Sequence, residues 1–201
     1  MITLDTALRQ GGVEIALLVL ADEHHLDGLD ALLNDERVAR WLGGKRTRET
    51  LLATIQKERQ HFVDHGFAPW VVLDRRTGEV MGRGGLRRVE LFGHPEVELF
   101  YAVAPPRMRT GLATLIATRA LGLGFRELGL DSVVALTMET NQASQRLLEK
   151  VGMVRDGTFE HTGLPHVLFR VTKEEFLEAD ARAFRNGEKA HVHLSGPPKR
   201  R

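Results

Sequence analysis

Residues 97–153 constrain this chain more than any other stretch. In order they read VELFYAV, APPRMRTGLATLIATRALGLGF, SVVALTM and ETNQASQRLLEKVGM, with one short connection. Apolar β-rich runs alternate with helical spacing, so the segment is strand, helix, strand, helix. Pro105 and Pro106 stop the first strand because proline has no N–H for a ladder. Thr110 or Thr114 is the expected helix start, with Leu112, Leu115, Ile116, Ala120 and Leu123 turned inward. Asn141 caps the second helix, and Gly152 offers a left-handed stop.

The first of these helices opens in a way that suits an anion. The first turn of any helix has unpaired N–H groups and the positive end of the dipole. Gly111 allows close backbone approach, Ala113 keeps the opening small, and Arg107 and Arg109 add charge. A glycine near a helix start is common by itself. Its place after a Pro-terminated strand and before a second strand–helix pair gives it weight.

Around this segment the chain reads as mixed α and β. Ile2–Leu4 and Val13–Leu20 are strand-like about a Gly11-Gly12 turn, and a helical pattern with Leu26, Leu29, Leu32 and Leu33 follows Asp22. A short helix over Asp35–Leu42 stops at Gly43-Gly44. A longer one runs from Thr47 to Gly66, with Leu51, Leu52, Ile55, Phe62 and Val63 as its apolar stripe and Glu49 and Glu58 on its polar side. Phe67–Leu73 and Val80–Val89 form a hairpin, and glycines 82, 84 and 85 suggest a bulge in its second strand. Val154–Glu160 and His166–Val171 form a last hairpin about Gly163, and Thr172 caps a final helix through Phe184. One domain over residues 1–184 and a flexible basic tail over residues 185–201 are expected, the tail holding Arg185, Lys189, Lys199, Arg200 and Arg201 against Glu188.

Composition removes several classes. A net charge of +1 gives no global field toward nucleic acid or membrane. No cysteine is present, which excludes disulfides, thiolate metal sites and a cysteine acyl-enzyme. Apolar runs are too short to span a bilayer, and the N-terminus has no signal-peptide pattern. His24-His25 and His191-x-His193 lack metal-ligand spacing, so no metal site is expected. A cytoplasmic location is the starting expectation.

The motifs of residues 97–153 resemble those of the GNAT superfamily of N-acetyltransferases, in particular the ribosomal-protein N-terminal alanine/serine branch. Val97-Glu98-Leu99-Phe100-Tyr101 is similar to that branch's hydrophobic-Glu-Ile-Gly-Tyr strand. Residues 105–113 are similar to its Pro-x-x-(Arg/Gln/Trp)-Gly-x-Gly-x-Ala loop. Asn141 through Met153 is similar to its Asn-x-x-Ser … Glu-Lys-x-Gly-Phe helix. Met108 and Arg109 depart from the loop pattern, and Arg109 stands where a glycine is usual.

The resemblance implies an α/β (α+β) fold: a mixed, mostly antiparallel sheet, flanking helices, and two parallel strands, 97–103 and 132–138, that splay apart. It implies acetyl-CoA as cosubstrate, held by Tyr101, Ala102, Val103, Arg107, Met108, Arg109, Thr110, Gly111, Leu112, Ala113, Thr114, Asn141 and Ser144. A backbone N–H near Val103 is then the oxyanion donor. Glu98 is the implied base, with Glu96 on the same face as its competitor. Leu148 replaces the tyrosine that many relatives use as acid, and Ser144 inherits that role. Tyr101 reads as core packing or as a hydroxyl edge near the cofactor. The implied partner is an amine acceptor, either a protein N-terminus or a small amine such as an aminoglycoside, and a homodimer stays open. The alternative is a non-catalytic acyl-CoA-binding or partner-docking module on the same fold.

Overall fold

The computed structural model describes residues 6–10 and 13–185. The sheet contains β1 (Thr6–Gln10), β2 (Val13–Leu20), β3 (Trp70–Asp74), β4 (Val80–Leu91), β5 (His94–Val103), β6 (Ser132–Met138), β7 (Val154–His161) and β8 (Leu164–Thr172), in the order β1-β2-β3-β4-β5-β6-β8-β7. Each neighbouring pair is antiparallel except β5 and β6. Helices α1 (Leu26–Leu33), α2 (Glu36–Ala39) and α3 (Arg48–His65) precede β3; α4 (Leu112–Gly122), α5 (Gln142–Lys150) and α6 (Lys173–Arg185) lie among and after the later strands. The mixed, mostly antiparallel architecture expected from the sequence is the one observed.

Strand alternation divides the core into two layers. Val97 and Leu99 of β5 pack with Leu112, Ile116 and Ala120 of α4 and Leu148 of α5. On the opposite face Val71 and Ala102 pack with Leu26, Leu29, Leu51 and Ile55 of α1 and α3. The site lies where these layers meet the parallel pair.

Local chemistry explains the boundaries. Thr47 accepts from the Thr50 N–H to open α3, and Gly66, at φ 76°, closes it. Phe92-Gly93 and Thr162-Gly163 turn two hairpins with both residues at positive φ, the geometry that matches strand twist. A register shift opposite Val72 and Leu73 leaves Met81 without a partner on β3, so β4 carries the expected bulge. Gly84 has a separate role, since a Cβ there would sit 2.7 Å from Ile116 Cγ2 and 2.7 Å from the Phe100 carbonyl oxygen. Gly84→Ala is therefore expected to cost about 1–3 kcal/mol through forced displacement of α4. Urea denaturation checks this, and an unchanged midpoint would contradict the packing account.

Four expectations change, and a fifth, the first strand, falls partly outside the described residues. The first strand is Thr6–Gln10, and Ile2–Leu4 and the Gly11-Gly12 turn lie outside the described residues. Val63 is 75% exposed and does not belong to the α3 stripe. Glu58 is buried rather than polar-facing, because Leu51, Ile55 and Glu58 follow the 4-then-3 spacing of one helix face. The helix after the prolines starts at Leu112, where the left-handed Gly111 breaks the preceding backbone. Arg185, assigned to the tail, ends α6, and residues 186–201 lie outside the described residues.

Candidate active site

The parallel strands β5 and β6 register at a single pair, Glu98 with Val134. Beyond it β5 stays paired to β4 through Val103, and β6 stays paired to β8 through Met138. The two strands therefore part toward their C-terminal ends, as the sequence resemblance implies. The Ala104 N–H donates to the Met81 carbonyl, 2.8 Å away on the β4 side. Alternation then turns the Val103 and Tyr101 N–H groups away from β4, into the split.

The α4 start lies after this split. Gly111 has φ 87°, no side chain caps the helix, and no acidic residue stands in its first turn. The Leu112, Ala113 and Thr114 N–H groups thus keep their donors free of intrahelical acceptors. A Cβ added to Gly111 would meet nothing within 4 Å, so the approach is open. These features fit the phosphate end of an acyl-CoA. Thr110 Oγ1 donates to the Arg107 carbonyl at 2.7 Å and tightens the loop. Arg107 itself is drawn to Asp74, 2.8 Å away, so it ties the loop to β3. Met108 is extended and partly exposed.

Arg109 takes φ 63°. The loop thus keeps the left-handed geometry a glycine adopts freely, at a cost of about 1–2 kcal/mol for a side-chain residue.

The two faces of the split carry different chemistry. On the α3 face Glu98 is only 4% exposed and accepts from Arg87 Nε at 2.7 Å. Glu96 shares that face but is held in a two-pronged pair by Arg170, which also binds Asp156. Buried Arg83 pairs with Glu58, and both Arg83 and Arg87 lie over the Phe100 ring. On the α5 face the Tyr101 hydroxyl and Ser144 Oγ are 2.9 Å apart. Asn141 accepts from the Ser144 N–H at 3.2 Å, capping α5 and fixing the serine.

The structure thus brings Glu98 and Tyr101 to one strand and joins Tyr101 to Ser144. Sequence reasoning missed Arg87, which bonds Glu98, and the charges Arg83, Glu58 and Arg46 that lie near Arg87. Only the helical spacing of Glu58 could have signalled one of them. His166 is buried on β8 with Nδ1 2.9 Å from the Leu164 carbonyl, so that nitrogen must carry the proton. Among the described residues no group of three or more His, Asp or Glu side chains is placed to hold a metal. No described helix is long and apolar enough to cross a membrane.

Burial pushes the Tyr101 phenol up to about 12, opposed by its bond to Ser144. It therefore stays protonated at neutral pH and can donate. Tyr101 is the only tyrosine in the chain, so absorbance titration reads it alone. The expected midpoint is about 12; an ordinary value near 10 would contradict its burial. Because the folded value is raised, its stability contribution is full below the unfolded value and lost as pH rises through the folded one.

The family model for the acetyltransferase (GNAT) domain matches residues 16–154. With more than half the chain matched, the protein belongs to the GNAT acetyltransferases. YkkB of Bacillus subtilis (strain 168) is 27% identical over 148 residues, 74% of this chain and 85% of that protein. YoaA, an N-acetyltransferase of the same strain, is 26% identical over 133 residues, 65% of this chain and 75% of that protein. The ribosomal-protein-S5-alanine acetyltransferase of Vibrio fischeri has a TM-score of 0.70 at 15% identity, covering 86% of this chain and 99% of that one. A GNAT-family acetyltransferase of Bacillus anthracis has a TM-score of 0.68 at 20% identity, covering 84% and 99%. At these identities the structural likeness establishes the fold.

Proposed function

We propose that this protein transfers acetyl from acetyl-CoA directly to a primary amine. The observation that carries the proposal is the split itself, with the Val103 N–H turned into it, Glu98 on one face and the Tyr101–Ser144 pair on the other. Acetyl-CoA supplies an activated acyl carbon as a thioester. The α4 start and Arg109 hold its phosphates, and the strand edge at residues 101–103 holds its pantetheine arm as an added strand would be held. The Val103 N–H polarises the carbonyl. Glu98 removes a proton from the acceptor ammonium, which needs a free lone pair to react. As the amine nitrogen bonds the carbonyl carbon and the C–S bond breaks, Ser144, backed by the Tyr101 phenol, gives its proton to the departing thiolate and regains one from the nitrogen that becomes the amide. This reading goes with a cytoplasmic location, where acetyl-CoA would be at hand.

One observation favours a second reading, a non-catalytic acyl-CoA-binding module: Leu148 is fully buried in the core where many relatives have a catalytic tyrosine. Thiol release from acetyl-CoA, measured with a panel of primary amines, separates the two. The enzyme reading expects release that an amine accelerates. Calorimetric binding of acetyl-CoA with no acceleration by any amine would instead support the module.

A further inference from the structure

Around Arg87 the cations Arg46, Arg83 and Arg87 outnumber the carboxylates Glu58 and Glu98. Arg83 is paired with Glu58, and Arg87 with Glu98. Arg46, half-buried in the loop between α2 and α3, pairs with no carboxylate among the described residues. Its side chain makes one hydrogen bond, a long 3.4 Å contact from Nη2 to the Leu42 carbonyl. Burial, then the Arg87 charge, disfavours the charged form of Arg46, and Glu58 only partly offsets them. A guanidinium does not escape by losing its proton, so the cost stays until an anion arrives. Arg87 commits only Nε to Glu98, while its guanidinium lies over Phe100 and its side chain is 46% exposed. Its remaining N–H groups form a fork suited to a carboxylate.

We infer that Arg46 and Arg87 bind an acid group carried by the acceptor itself, so that the acceptor is a small zwitterionic amine such as a free amino acid. This rests on the transfer reading above. The amine would lie at Glu98 and the acid beyond Arg87, toward Arg46. Phe100, Leu136 and Phe159, partly buried on the same face, offer an apolar wall for the rest of the molecule. A polycationic amine would instead meet like charge there.

The test uses leucine, leucinamide and isopentylamine with acetyl-CoA and the full chain. Leucine is expected to exceed leucinamide in kcat/KM by roughly 10- to 100-fold, the worth of hydrogen bonds to a charged group. Arg46→Gln should bring that ratio toward one, and Arg46→Lys should keep part of it because the charge remains without the fork. Folding is protected, since the Asn34 side chain holds the Arg46 main chain at both N–H (2.7 Å) and C=O (2.8 Å). A wild-type ratio near one, or a ratio unmoved by Arg46→Gln, overturns the acid site while leaving amine transfer standing. Leucine binding to the CoA-loaded protein, read by calorimetry and weakened by Arg46→Gln without any acetyl transfer, supports the acid site and contradicts the transfer reading.

Discussion

Glu98→Gln is expected to lower kcat/KM for acetyl transfer by about 10²–10⁴, the usual worth of a positioned general base. Glutamine keeps an oxygen for Arg87 Nε, now 2.7 Å from the carboxylate, and removes only the negative charge. Arg87 is half-exposed, so water can solvate the cation left behind. The fold should therefore change by no more than about 1 kcal/mol. Steady-state thiol release across pH checks the role, because the limb reporting protonation of the base should vanish in the variant. An unchanged rate and profile would remove Glu98 as the base. The same substitution at Glu96 should leave that limb in place, because Glu96 is committed to Arg170 and lies before the point where the strands part.

The largest effect on stability is expected at Glu58. Its carboxylate pairs with Arg83, and the two side chains are among the most buried ions of the described residues. Glu58→Ala strands the Arg83 guanidinium in the core and is expected to cost about 3–5 kcal/mol. A Glu58→Leu/Arg83→Met double variant should recover most of that loss, because apolar side chains of similar volume avoid desolvation altogether. Burial pushes the Glu58 carboxyl above the ordinary carboxylate range, although Arg83 pulls it back. The sign follows: the native state holds this proton more tightly, so the contribution is full below the ordinary value and declines as pH rises through the raised one. Urea denaturation of the single and double variants decides the matter. A single variant within about 1 kcal/mol of wild type would mean that the pair is wet and weak.

What sequence could and could not reveal here follows the range of each interaction. The order from β5 to α5 was legible because its signals are local: prolines after Val103, β-branched residues in β6, and Asn141 and Gly152 at the ends of α5. Thr47 and Gly66 bounded α3 for the same reason. Glu58 was misread because charge outweighed its helical spacing, and its partner Arg83 is 25 residues away. The Tyr101–Ser144 contact spans 43 residues and depends on how α5 docks against β5, which no local pattern encodes. Arg109 shows the reverse case. A residue type that disfavours positive φ occupies it nonetheless, because the fixed ends of the loop override its own preference.

Amide hydrogen exchange with and without acetyl-CoA tests the central claim most directly, since it reads the strand edge and the helix start separately. Acetyl-CoA is expected to slow exchange at Tyr101 and Val103 in the split and at Leu112, Ala113 and Thr114 at the α4 start, while β2 and β3 on the far side of the sheet stay unchanged. Acetyl-CoA that leaves both segments unprotected at saturating concentration would contradict the assignment of this split as the acyl-CoA site.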